Sequence, residues 1–158
     1  MKTIISAIIL ASLVQMPLAY FFVSLESLTL GHGFIGSPSG TIIYLIAVCL
    51  VSAMFILLVS LPSYFALKRI ELNSMFYLAA AGFVIPVLIL FGLEFAIADD
   101  AGFSAGENYY GTYRSTFVSG RRTFWGWIKF LEQLVTYGIH GAIGAAVFHK
   151  VMLKGSHA

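Results

Sequence analysis

The run FWGWIKFLEQLVTYGIHGAIGAAVFHKVM, residues 124–152, is the last long apolar stretch of the chain and the one that carries a file of polar side chains. Lys129, Glu132, Gln133, Thr136 and His140 stand at relative positions 0, 3, 4, 7 and 11, so all five share one face of an α-helix. Gly138, Gly141, Ala142, Gly144 and Ala145 follow, with small-xxx-small pairs at Gly138/Ala142 and Gly141/Ala145. Small residues at that spacing let a second helix approach closely inside a bilayer. The stretch therefore predicts a membrane helix with one face turned to protein or water.

The composition of the chain agrees with a bilayer setting. Of 158 residues, 59% are apolar and 10% are charged. Soluble domains carry about a quarter charged residues, so the expected class is an all-α integral membrane protein. The net charge of +2 is too small and too scattered to argue for nucleic acid, and no nucleic-acid partner is expected. Cys49 is the sole cysteine, lies in an apolar run and cannot form an internal disulfide.

Three further apolar runs precede the first-quoted one. Residues 3–25 begin after Lys2 and contain Gln15 and Pro17. A signal peptide is the rival reading there, but the apolar character is long enough to span and Pro17 makes a poor cleavage context. Gln15 in such a helix wants a partner on another helix, and Pro17 frees a carbonyl. The Gly-rich segment to Gly40, with Glu26 and His32, predicts a loop. Residues 41–66 form the second expected span, with Tyr44 near its start and Pro62 between Ser60 and Ser63. The short turn from Lys68 to Ser74 makes the second and third spans antiparallel neighbours, and Asn73 or Ser74 supplies a cap. The third span, 75–97, holds an Ala79–Gly82 small-residue patch, Pro86 and Glu94.

The expectation is one domain, residues 1–158: a four-transmembrane-helix bundle with spans at 3–25, 41–66, 75–97 and 124–152, and a long outer loop at 98–123. That loop, with Tyr109, Tyr110 and Tyr113 among its charges, is too long for a plain connector and should pack on something. Lys2, Lys68, Arg69, Lys150 and Lys154 fall on one side, which predicts cytoplasmic N- and C-termini in a plasma membrane, the inner membrane of a bacterium.

Chemistry is sparse. A carboxylate in hydrocarbon is costly by about 2.5–3.5 kcal/mol, so Glu132 must be paired or wet, and Glu94 is a possible second acid beside it. The polar file either fixes helix register through hydrogen bonds or carries protons. Haem and zinc both lack a ligand set, because only His140 is well inside a span, His149 follows on the same helix and His32 is in a loop, and no cofactor is expected. Asp99, Asp100 and Glu107 lie close to Arg114, Arg121 and Arg122 and read as surface ion pairs rather than a metal site. Ser104 and Ser119 have no histidine beside them in sequence to activate a nucleophile, and no catalytic residue is assigned. Arg121, Arg122, Trp125 and Trp127 mark the point where the last helix enters lipid, as an interfacial anchor or a partner-docking epitope. The leading functional expectation is a non-enzymatic accessory subunit or immunity-type protein. It would bind another membrane protein, or a second copy of itself, through the fourth span and the outer loop. The alternative is a proton- or solute-coupled carrier that uses Glu132 and His140.

Overall fold

The computed structural model describes residues 2–29, 38–72, 74–96, 102–109 and 111–154. His32, Asn73, Asp99, Asp100, Tyr110 and the tail after Lys154 lie outside the described residues. The molecule is mostly helical. Its helices are α1 (Lys2–Leu13), α2 (Gln15–Thr29), α3 (Pro38–Phe55), α4 (Leu61–Arg69), α5 (Met75–Ala96) and α6 (Phe124–Lys154). Three stretches, Thr3–Leu25, Gly40–Arg69 and Met75–Phe95, are long and apolar enough to cross a membrane. Among the described residues α6 is not one of these. It has 31 residues, but its polar file lowers its hydropathy.

Prolines account for the interruptions. Pro17 has no N–H for the carbonyl of Leu13, and α1 gives way to α2 at Val14. Pro62 stands just after a π-helical turn, Ile56–Ser60, that joins α3 to α4. Such turns absorb one misfit in an otherwise continuous helix. After Arg69 the chain reverses through paired bonds, Glu71 N–H to Lys68 O at 3.3 Å and Leu72 N–H to Leu67 O at 2.9 Å. This is the Schellman arrangement, with Glu71 at φ 60° in the position glycine usually takes. Ser74 then caps α5 by accepting from the Tyr77 N–H at 3.5 Å.

The antiparallel pair α5 and α6 forms the spine. Their backbones touch where Gly82 meets Gly141. A Cβ on Gly82 would lie 2.5 Å from the Gly141 carbonyl oxygen and 2.7 Å from the Ala145 methyl. Pro86 has no N–H to offer the Gly82 carbonyl, and that oxygen lies against Gly141 instead. The core gathers Ala7, Ala11, Ile56, Tyr64, Leu78, Ala145 and Phe148, near the end where α1 begins and α6 finishes. The outward sides of α3, the π-helical turn after it and α5 show Ile43, Leu50, Leu58, Phe76 and Leu88, all exposed. Bands of that kind mark a surface covered by lipid or by another apolar surface.

The segment expected to be a loop contains a small antiparallel sheet. Strands β1 (Ala105–Tyr109), β2 (Thr112–Val118) and β3 (Arg121–Arg122) pair in the order β1-β2-β3. Ser119 and Gly120, at φ 51° and 78°, make the tight turn between β2 and β3. The Ser119 N–H donates to Ser104 Oγ at 3.1 Å, so Ser104 serves the turn. The sheet packs on the bundle's end. Thr123 caps α6 by accepting from the Gly126 N–H at 3.2 Å, and its own N–H reaches Thr116 O at 3.0 Å. A Cβ on Gly126 would collide with that same Thr116 oxygen.

Candidate functional site

The five polar residues of α6 line one wall of a cleft of about 630 Å³. The other walls come from Phe22, Val23 and Leu25 of α2, Tyr44 of α3 and Tyr109 of β1. The cleft is the space left where α3 stands away from α6. Near its mouth Lys129 Nζ stands 3.6 Å from Glu107 Oε2, an ion pair between helix and sheet. One turn deeper, the Tyr109 hydroxyl donates to Glu132 Oε1. Glu132 and Gln133 are exposed, and Thr136 and His140 are partly covered.

At the foot of the cleft, His140 Nδ1 lies 2.7 Å from Gln15 Oε1. Gln15 is buried, and its Nε2 donates to the Ala11 carbonyl at 3.3 Å. With the amide nitrogen so placed, the amide oxygen faces the ring, and an oxygen only accepts, so His140 donates through Nδ1. Gln15 thus finds its cross-helix partner in His140. The Phe22 ring stands 5.4 Å from the imidazole, centroid to centroid. Gly144 leaves room for the amide, since a Cβ there would come within 2.8 Å of Gln15 Nε2.

A second cleft of about 490 Å³ lies between α3 and α5. Its lining is largely apolar, with Val48, Val51, Phe55, Ile56, Ile89 and Leu90 prominent. Tyr44, Tyr137 and His140 belong to both clefts and form the waist between them. Gln15, Ser52 and Ser60 add isolated polar groups to it.

Glu94 does not join Glu132. It does not line the cleft; it is held by Arg122, whose Nη2 reaches Glu94 Oε2 at 2.6 Å and whose Nε pairs with Oε1. The same guanidinium donates through Nη1 to Gly126 O at 3.2 Å and lies over the Phe117 and Phe130 rings, 4.6 and 4.7 Å from their centroids. Arg122 therefore ties sheet, α5 and α6 together from a site largely closed to solvent. Arg121, its neighbour, is exposed. Trp125 is covered by Arg114 at 4.6 Å and Trp127 remains 39% exposed. In the packing set, Gly138 faces the Phe83 ring, Gly141 faces Gly82, Gly144 faces Gln15, Ala145 is buried in the core and Ala142 is half-buried.

Among the described residues no three His, Cys, Asp or Glu side chains gather as a metal site. Buried at the opposite end of α6, His149 packs beside Tyr64, with centroids 6.2 Å apart. The aromatic residues of the cleft, Phe22, Tyr44, Tyr109 and Tyr137, are absent from the sequence-derived site. Tyr137 had a detectable signal, because it stands three residues before His140 on the same side of α6. Tyr109 had none, since its contact depends on the fold of the sheet. No family model, curated protein or solved structure matches the chain.

Proposed function

We propose that the chain is a four-span bundle of the plasma membrane, the inner membrane in a bacterium. In this reading α6 is the fourth span, both termini are cytoplasmic and the sheet lies outside. We further propose that it works by binding rather than catalysis, as an accessory or immunity-type subunit. It would dock on another membrane protein through the sheet and the outer turns of α6. One observation carries this reading: the sheet is fastened to the helix ends by the Arg122 clamp and presents Tyr113, Arg121, Phe124 and Trp127 outward. Tyr113 and Phe124 are each 71% exposed. Arg and aromatic side chains on a rigid base are the usual anchors of protein interfaces.

The test places a photoreactive phenylalanine analogue at Phe124 and, as a lipid-facing control, at Leu58. Cross-linking in cells should give a discrete protein adduct from Phe124 and only lipid products from Leu58. Lipid products at both sites would reduce the aromatic cluster to a membrane anchor and end the partner reading. Orientation is read in the same cells, in a Cys49→Ser background. A cysteine at Ser104 should react with an impermeant label and one at Ser74 should not.

A second reading rests on the two clefts that meet at the His140–Gln15 pair. A solute- or proton-coupled carrier needs a polar path interrupted by a gate near the midplane. Glu132→Gln keeps a hydrogen-bonding group and removes the carboxylate. In liposomes a carrier would lose flux in this variant while its thermal stability is unchanged or raised. Absence of flux in the parent would remove the carrier reading.

A further inference from the structure

The stretch Gly40–Arg69 is one long apolar run of helix, yet its burial changes abruptly along its length. From Gly40 to Phe55 not one residue is buried, while Ile56, Ser60 and Tyr64 all are. Apolar length does not explain the difference, because α5 is also long and apolar enough to span, and it buries Leu78, Gly82 and Pro86 at regular spacing. α3 packs against α1 and α2 and stands away from α5 and α6 across the two clefts. The π turn, by contrast, packs on α1 and α6, and α4 packs on α5. The Tyr64 ring of α4 sits 5.7 Å from that of Phe148, centroid to centroid. The change from unburied to anchored falls on the π turn itself, Ile56–Ser60. There the Leu61 N–H reaches back five residues to the Ile56 carbonyl, and Pro62 has no N–H with which to continue the ladder.

We propose that this π turn is a hinge about which α3 swings towards α5 and α6, shutting both clefts. Segments with few buried contacts open at low cost, and π turns and prolines are where helices change direction. A hinge of this kind takes up the movement in a few backbone angles at one point. Closure brings Ala47, Val48 and Val51 of α3 onto Ile89 and Leu90 of α5, which line the same cleft. In a bilayer both positions surround those side chains with apolar neighbours, lipid in one and protein in the other. The hydrophobic effect therefore does not choose between them, and the two positions stay close in free energy. Tyr44 borders both clefts and rides on the arm, so one movement shuts the polar cleft and the apolar one together. The lever sets the amplitude. At 1.5 Å per residue, Ile43 lies about 20 Å along the helix from Ile56 and Leu50 about 9 Å. A change of about 20° at the hinge, the scale of a helix kink, moves them by about 7 and 3 Å and leaves α4 in place. The hinge rests on neither functional reading, since its test reads distances and needs no partner and no flux.

The experiment measures distances between pairs of nitroxide labels by pulsed electron spin resonance, on the full chain in phosphatidylcholine nanodiscs and in a Cys49→Ser background. Leu131→Cys on α6 is the fixed reference, paired in turn with Ile43→Cys, Leu50→Cys and Phe65→Cys, all at exposed positions. The Phe65 pair lies past the hinge and sets the width that the labels alone produce. Beyond that width, the expected spread is about 7 Å for Ile43 and about 3 Å for Leu50. Deleting Leu58 tests the hinge itself. A π turn holds one residue more than an α turn, so the deletion restores α-helix and keeps both flanking faces in phase. It should narrow the Ile43 distribution to the width of the Phe65 pair. Pro62→Ala returns a backbone N–H to the ladder and should narrow the distribution in part. Elution and thermal unfolding like the parent's qualify each variant, and Pro62→Ala decides alone where the deletion does not qualify. An Ile43 pair as narrow as the Phe65 pair, equal spread at Ile43 and Leu50, or a spread unchanged in the qualified variants would overturn the proposal.

Discussion

Replacing Gly141 with leucine is expected to destabilise the bundle more than any other single apolar substitution in α6. A Cβ at this position would overlap the Gly82 carbonyl oxygen and come within 3.1 Å of Pro86 Cγ. The obstacle is backbone on one side and a proline ring on the other, so neither can swing aside. The two helices must separate along their closest contact, and lipid does not replace the lost packing. Overpacking of this kind costs about 3 kcal/mol or more, which in a chain of this size is a fall of roughly 6–12 °C in unfolding temperature. Gly141→Ala gives the sharper test, because its sign is diagnostic. Glycine to alanine within a helix normally stabilises by about 0.5–1 kcal/mol. That gain is expected at Gly92, where an added Cβ meets nothing within 4 Å. At Gly141 the same change should destabilise. Thermal unfolding in detergent compares the two, with Leu131→Ile as a neutral control on the exposed side. Equal tolerance of alanine at both glycines would mean that Gly82 and Gly141 are not in contact.

The same comparison shows where sequence reasoning reaches and where it stops. The file from Lys129 to His140 was legible because helical periodicity is a local property, and five residues at the right spacing share a face in any helix. Gln15 was legible as a group needing a partner, since an amide in an apolar run has nowhere else to bond. Its partner was not, because nothing local links residues 15 and 140. The spans at 3–25, 41–66 and 75–97 follow from uninterrupted apolar length. The sheet between α5 and α6 was not legible. Its longest strand, Thr112–Val118, mixes exposed and half-buried residues with no strict alternation, and β3 is two residues long. Arg121 and Arg122 show the limit most plainly. Adjacent and identical, they read as one basic anchor, yet strand alternation sends them to opposite faces. Pairing with Phe117 and Val118 is what turns Arg122 inward and leaves Arg121 exposed.

That difference sets the second large effect. Arg122→Ala should cost far more than Arg121→Ala. The Arg122 and Glu94 side chains are only 14% and 22% exposed, so removing the guanidinium strands a largely covered carboxylate. Breaking one partner of a fully buried pair costs about 3–5 kcal/mol, so this part-buried one should cost less than that, yet well above the roughly 0.5 kcal/mol of an exposed arginine away from such contacts. Stacking on Phe117 and Phe130 is lost as well, and lysine cannot restore it. Its point charge lacks the planar fork that meets both Glu94 oxygens and lies flat on a ring, so Arg122→Lys should recover only part of the loss. The double variant Glu94→Gln with Arg122→Met separates two possible sources of the effect. If the cost is mainly the orphaned charge, the double variant should be markedly more stable than Arg122→Ala alone, because no ion then needs a partner. If the clamp itself holds the sheet, the double variant should unfold near the parent's temperature yet lose the sheet first. Protease cleavage within residues 105–122 of the otherwise intact bundle would report that loss. Thermal unfolding and limited proteolysis of the four variants decide between these outcomes. A cost for Arg122→Ala no larger than that for Arg121→Ala would mean that Arg122 does not fasten the sheet to α5 and α6.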